Sequence, residues 1–243
     1  MRLELNPALD AQHLASAYRA KHRLQIRDLL TEASAEAVLR AIEGAPWGLA
    51  FNDGSEVVQL DGNALANLSR EQAAQMMAGI HERARSEYQF LYAYYPLLTA
   101  YFTPGIERMP IFDTFEFINS APFLQFIRRV TGLDAIRWAD GQATMFRAGH
   151  FLKCHTDESS SERRLAAYVI NMTKVWGRDW GGFLQFFDDH NDIEQAFRPA
   201  FNAINIFTIP ANHSVSMVAS YAPGNRLSIT GWFRGDDPPG PIG

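Results

Sequence analysis

The stretch FLKCHTDESSSERRLAAYVINM, residues 151–172, decides how this chain is read. It holds two runs rich in aromatic and β-branched residues, HFLKC (150–154) and LAAYVIN (165–171), separated by a polar, serine-rich segment, and this predicts two strands joined by a solvated turn. Between them stands His155-Thr156-Asp157. Such a triplet is either half of a metal site or an ordinary polar turn leading into a strand, and what lies downstream has to decide.

Working outward, runs of the same texture recur from about residue 135: IRW, QATMF, HFLKC, LAAYVIN, GFLQFF, AINIFTI, VSMVA and RLSITGWF, punctuated by Gly, Pro, Asn and Asp. Eight short strands with almost no helical pattern between them predict a sandwich or jelly-roll barrel. The chain before residue 135 reads differently. Residues 34–43 place Ala35, Val38, Leu39 and Ile42 at helical spacing ahead of Gly44, and residues 69–88 start at Ser69 with Gln72 as its capping-box partner. A third helix is predicted from about Pro122 to Val130, before Gly132, and residues 47–60 read as a hairpin around Asn52-Asp53-Gly54. No linker or repeat separates the halves. The expectation is one domain, 1–243, of class α+β with a mainly β core: a helical part over about 1–134 packed outside a β core over about 135–235.

Composition narrows the function. With 47% hydrophobic and 20% charged residues in 243, the chain has enough apolar material for a large core, and its net charge of -5 argues against a dedicated nucleic-acid binder. The single cysteine, Cys154, rules out an internal disulfide and a cysteine-based zinc cluster, and no run approaches the roughly 18 apolar residues of a membrane span. The expectation is a cytoplasmic protein with no membrane or direct nucleic-acid partner.

Downstream, His213 follows the run ending at Ile209-Pro210, and Arg226 and Ser228 share one face of RLSITGWF. Two histidines and a carboxylate, two close together and one distant, match the facial arrangement that holds Fe(II) and leaves positions open. If residues 153–157 are extended, His155 and Asp157 point the same way and Cys154 points away, as packing rather than as a ligand. A buried arginine beside a metal needs an anionic partner. A dicarboxylate whose 2-oxo acid end meets the iron and whose far end meets Arg226 and Ser228 satisfies both charges, which points to 2-oxoglutarate.

These segments resemble the Fe(II)- and 2-oxoglutarate-dependent dioxygenases, in their prolyl-hydroxylase branch. FRAGHFLKCHTD is similar to that branch's segment leading into H-x-D, ERRLAAYVINMTKVWGRDWGGFLQFF to its Arg-led strand and Gly-Gly loop, and NHSVSMV with RLSITGWF to its distal histidine and arginine strand. The likeness runs from about Phe115 to Gly235 and is greatest for the group that hydroxylates a proline of a small-subunit ribosomal protein. The resemblance implies a double-stranded β-helix (jelly roll), Fe(II) on His155, Asp157 and His213, 2-oxoglutarate on Arg226, use of O2 with release of succinate and CO2, ascorbate as an additional reductant, and a protein substrate such as a ribosomal protein. That group's 2-oxoglutarate-contacting tyrosine is missing: counting gives Ile170, and Tyr168 and Asn171 are both candidates to replace it.

Other readings stand beside this one. His150 reads as a hydrogen-bonder and His190 as a solvated turn residue; Arg163 and Arg164 are either a solvated strand end or substrate-facing; Trp176 and Trp180 are either packing or a substrate wall. The same core would serve an oxygenase of a free amino acid or other small molecule, or a metal-binding jelly roll without catalysis. An open groove beside 94–114 and 158–162 would favour a peptide substrate, and a closed pocket a metabolite.

Overall fold

The computed structural model describes residues 2–243. In chain order its elements are α1 (Ala11–Lys21), β1 (Arg23–Ile26), α2 (Glu32–Glu43), β2 (Gly48–Asp53), β3 (Glu56–Leu60), α3 (Gly62–Ala66), α4 (Arg70–Arg83), β4 (Phe90–Tyr95), α5 (Leu97–Phe102), α6 (Pro110–Ile118) and α7 (Ala121–Thr131). There follow β5 (Trp138–Ala139), β6 (Gln142–Phe146), β7 (Phe151–His155), β8 (Arg164–Asn171), β9 (Leu184–Phe187), β10 (Ile193–Phe197), β11 (Ala203–Thr208), β12 (His213–Val215) and β13 (Arg226–Arg234).

The helix signals act as their chemistry dictates. Ser69 and Gln72 form the reciprocal capping box that starts α4, and Gly132 ends α7 in the left-handed region at φ 72°. Helix α2 begins two residues before the predicted start, because Thr31 and not Ser34 caps it; Ser34 instead accepts the backbone N–H of Glu4.

Antiparallel pairing runs β1-β11-β8-β13-β6-β4-β7-β12-β9-β10. At its two ends Arg23 of β1 bonds Glu194 and Gln195 of β10, so the sheet is nearly closed into a jelly-roll-like barrel. Three of these strands were not predicted. Strand β1 is a four-residue edge strand and β10 is half exposed, and neither carries a continuous apolar signal. Strand β4 matters most. It bends between the two walls of the barrel, pairing β7 through Phe90 and Leu91 and β6 through Ala93, Tyr94 and Tyr95. The part before residue 135 is therefore not only a helical cover; it builds a wall of the barrel. The predicted strand VSMVA is displaced: pairing covers His213–Val215 and stops where Ser216 and Met217 turn away over the end of the barrel.

Alternation of side chains divides each central strand between two environments. Leu227, Ile229 and Phe233 of β13, with Tyr168 and Ile170 of β8 and Met172 just after it, join Phe115, Phe123, Ile127, Val38 and Ile42 of the helices in the main core. Ala167 and Val169 point the other way, onto Leu184, Phe186 and Phe207 inside the barrel. The loop between β8 and β9 closes the deep end. Gly181 and Gly182 sit there at φ 68° and 66°, and a Cβ on Gly181 would lie 2.0 Å from the carbonyl oxygen of Met217, so the loop folds down only with glycine there. Trp176 is buried in this plug, its indole N–H donating to the Gly181 carbonyl at 2.8 Å, which makes it packing and not a substrate wall.

Candidate metal centre and cosubstrate cavity

A cavity of about 390 Å³ opens along the barrel axis. His155 ends β7 and His213 starts β12, and these two residues are paired across the antiparallel ladder, which sets their rings 4.2 Å apart between centroids. Asp157 lies just beyond β7 in the left-handed region, at φ 64°, so the chain turns back and its carboxylate faces both rings: Oδ1 is 3.1 Å from His155 Nε2 and Oδ2 is 3.3 Å from His213 Nε2. The side chains come together as expected, but through this turn and not through a continuous extended run. Cys154 points away and is exposed, so it is neither ligand nor core.

The outer nitrogens fix the tautomers. His155 Nδ1 meets the carbonyl of Lys153 at 3.0 Å and His213 Nδ1 that of Ala211 at 2.8 Å; a carbonyl only accepts, so each Nδ1 carries the proton and each Nε2 turns a lone pair inward. Burial, and then the neighbouring His155, push the His213 pKa down to about 4, which keeps it neutral. Burial pushes the Asp157 carboxyl up, but the polar groups around it, His155, His213 and Trp232, outweigh this and leave it below its usual range. One carboxylate and two neutral imidazoles, with ligand atoms within 4.8 Å of one another, are a donor set suited to a divalent transition metal.

Deeper in the cavity lies Arg226. Its side chain is buried, its Nε has no hydrogen-bond partner, and burial alone lowers its pKa to about 10, so it stays charged. No carboxylate among the described residues pairs with it; its guanidinium stands 4.9 Å over the ring of Phe146 instead. A buried cation without a counter-ion is costly, and a bound anion relieves that cost. Tyr92 of β4 lines the same cavity on the other side of Phe146, its ring 5.3 Å from that of Phe146. Its phenol accepts a long contact from Gln142 Nε2 at 3.5 Å, leaving its own proton unspent, and burial raises its pKa so that the proton stays.

The other expected residues are placed less directly. Ser228 faces the bore but is fully buried and bonded at 2.9 Å to Thr144, and Thr144 is the one that lines the cavity. Asn171 is directly opposite Ser228; its amide donates to the carbonyls of Val169 and Ala203, its oxygen has no partner, and it stops short of the cavity lining. Tyr168 borders the cavity, but its hydroxyl donates to the Asp140 carbonyl at 2.6 Å and its ring packs on Phe233 in the outer core. Tyr168 therefore turns no free hydroxyl into the cavity. His150 is buried outside the cavity and His190 is exposed in its turn.

The mouth is formed by Tyr88, Thr156, Glu158, Arg164 and Trp232. The Tyr88 ring lies tilted at 46° to that of His155, 5.6 Å away, while remaining 44% exposed, which leaves a face for a ligand. Arg164 lies 3.6 Å over Trp232, so of the two arginines it is Arg164 that faces the cavity. Of the two segments expected to flank the mouth, 94–114 contributes nothing to the lining and 158–162 only Glu158. The residues that sequence reading missed, Tyr88 and Tyr92, lie at the alternate positions of YQFLY, a weak signal beside the stronger helical patterns around it.

Residues 141–234 match the family model of the 2OG-Fe(II) oxygenase superfamily. Among curated proteins, the chain is 24% identical over 227 residues to the prolyl 3-hydroxylase OGFOD1 of Mus musculus, covering 88% of this chain and 41% of that protein, so it spans less than half the length of this relative. Among solved structures it resembles a 2OG-Fe(II) oxygenase family oxidoreductase from Burkholderia pseudomallei, with TM-score 0.63, 11% identity and 98% and 97% of the two chains covered. It also resembles a Pseudomonas putida prolyl-4-hydroxylase, with TM-score 0.56, 16% identity and 94% and 100% covered. A Trichoplax adhaerens prolyl hydroxylase, solved with a hypoxia inducible factor oxygen degradation domain peptide, gives TM-score 0.56 and 16% identity over 92% of this chain and 88% of that one. At these identities the structural likenesses establish the fold.

Proposed function

We propose that this chain, whose residues 141–234 match the family model of the 2OG-Fe(II) oxygenase superfamily, is an Fe(II)- and 2-oxoglutarate-dependent dioxygenase that hydroxylates a prolyl residue in a protein. The observation that carries this reading is one cavity holding both a three-ligand His-Asp-His cluster and a buried guanidinium without an anionic partner. His155, Asp157 and His213 would hold Fe(II), and Arg226 the distal carboxylate of 2-oxoglutarate. The bound iron would supply dioxygen activation coupled to oxidation of 2-oxoglutarate to succinate and CO2, with ascorbate as an auxiliary reductant.

The chain's own residues do the rest. The Nδ1–carbonyl bonds aim both imidazoles, Arg226 would offset the single charge of the distal carboxylate, and Tyr92, whose phenol accepts from Gln142, would donate its own proton to that carboxylate. Ser228 orients Thr144, and Asn171 helps to close the floor. Tyr88, Arg164 and Trp232 at the mouth would meet the substrate, offering aromatic faces suited to a prolyl ring. The names of the mouse relative and of two of the solved structures support a prolyl substrate, and the peptide in one of them supports a substrate that is a protein; a ribosomal protein as that substrate and a cytoplasmic setting rest on the sequence resemblance alone. No helix among the described residues is long and apolar enough to cross a membrane.

Adding Fe(II) and 2-oxoglutarate to the anaerobic protein should give the visible charge-transfer band of a chelated 2-oxo acid, lost in His155→Ala and His213→Ala. A wild-type protein that binds divalent metal yet never gives the band would sink the oxygenase reading. For the substrate, proteome-wide mass spectrometry with and without the enzyme should find the gain of one oxygen on proline. Its absence, with succinate still formed, would favour a small-molecule substrate.

A further inference from the structure

The turn that aims Asp157 is backbone strain held from outside. An L-residue at φ 64° is disfavoured by about 1 kcal/mol or more and persists only where its surroundings fix it. The fixing contact is Arg164, whose Nη1 donates to the Asp157 carbonyl at 3.2 Å.

Arg164 is itself gripped on several sides. Its guanidinium lies flat on Trp232 at 3.6 Å, while its Nε and Nη2 both reach Glu162 Oε2, at 2.7 and 2.5 Å. The other oxygen of Glu162, Oε1, takes Arg234 Nη1 at 3.0 Å. Arg234 is buried against Asp140, 3.0 Å away, and Asp140 Oδ1 in turn accepts the backbone N–H of Trp232 at 2.6 Å. The contacts form a closed circuit. It starts at β13, passes through Asp140 and Arg234 to Glu162 and on to Arg164, which returns to β13 by lying on Trp232 and from there holds Asp157. Glu162 bridges the side chains of these two arginines, whose backbones are partners in the β13–β8 ladder.

The energy of such pairs is modest where water reaches them, and the Glu162 side chain is 35% exposed. Their geometry is what counts. A planar guanidinium held along one edge by a carboxylate and on one face by an indole has a single orientation, with its remaining N–H groups aimed at the carbonyl.

We propose that Glu162 is a positioning residue of the metal centre: it locks Arg164 so that the left-handed turn at Asp157 presents its carboxylate to His155 and His213. This rests on the metal-site reading above. Contacts of this kind, one step behind a ligand, typically change metal affinity by about 10- to 100-fold.

The test is titration of the metal-free protein with Co(II), following its visible ligand-field bands, with no cosubstrate present. Glu162→Ala should lose about 10- to 100-fold in Co(II) affinity and alter the bands. Arg164→Ala should lose a similar amount, and the double variant no more than either single one, because both changes break the same circuit. Glu162→Gln, which keeps the shape and one good acceptor oxygen, should fall between. Asp236→Asn, which removes a different partner of Arg234 and leaves the circuit whole, should bind like wild type. At saturating Co(II), 2-oxoglutarate affinity should be unchanged in Glu162→Ala. The proposal is overturned if Glu162→Ala keeps wild-type affinity and spectrum, if the two losses simply add, or if Asp236→Asn loses as much. A wild-type protein that binds no Co(II) would instead overturn the metal-site reading on which it stands.

Discussion

Strands β8 and β13 show one chemistry to the helices and another to the barrel axis. On the helix side, Phe233, Ile229, Tyr168 and Ile170 are almost fully buried in the main core, and the one polar group among their side chains, the Tyr168 hydroxyl, is satisfied. On the axial side the same two strands carry Arg226 and Asn171, each with a buried polar atom that finds no protein partner. Stability comes from the first face, by burial of apolar surface; the second gives some of it up to keep a charge waiting for a ligand. Two residues adjacent in sequence, such as Leu227 and Arg226, can therefore be expected to fail in different assays.

The largest effect should come from the helix side. Phe233→Ala removes a buried ring that packs on Tyr168 and Phe123, and should cost about 3–5 kcal/mol of stability in denaturant unfolding while leaving 2-oxoglutarate affinity nearly unchanged. Loss of cosubstrate affinity in a protein still folded under assay conditions would break the division.

Arg226→Ala is the counterpart. It should cost about 2–5 kcal/mol of cosubstrate binding, or roughly 30- to 3,000-fold in affinity, with iron binding retained and thermal stability unchanged or higher. Arg226→Lys should lie between, since an ammonium keeps the charge but not the planar fork. Saturation of Arg226→Ala at the wild-type concentration, measured by succinate formation, would make the arginine structural only.

The two tyrosines sharpen the contrast further. Tyr92→Phe removes a donor to a charged carboxylate, a loss of about 1.5–3 kcal/mol, and should raise the 2-oxoglutarate concentration needed for half-saturation by about ten-fold or more without lowering the unfolding temperature. The smallest effect is expected from Tyr168→Phe, which breaks only the bond to the Asp140 carbonyl: about 1 kcal/mol of stability, and no change in cosubstrate affinity. A reversal of these two outcomes, read by calorimetry of binding and by thermal unfolding, would mean that the phenol serving the cavity comes from β8 after all.

Much of this was legible along the chain. The alternation in RLSITGWF put Arg226 and Ser228 on one face, and His155, Asp157 and His213 were identifiable by type and spacing. Counting along β8 from the paired arginines was less secure. It led to Ile170, which packs toward the helices, with Tyr168 on the same face; Asn171, one residue on, points toward the axis. A shift of one residue in a strand exchanges its faces, so a motif count without a partner strand leaves this open.

The sequence by itself determined the strand texture of the core, the helix caps and the triad, because each depends on residues near one another in the chain or on residue types with few alternatives. Only the tertiary structure decided that β4 enters the barrel, that Tyr92, Phe146 and Arg226 lie side by side, and that Glu162 stands between Arg164 and Arg234. Those neighbours are brought together by pairing between β4, β6 and β13 and by a turn between β7 and β8, across separations that no local pattern encodes. The reason is physical: side-chain alternation and capping follow from the backbone of a single segment, whereas the lining of a cavity depends on how distant segments register once their apolar faces are buried together.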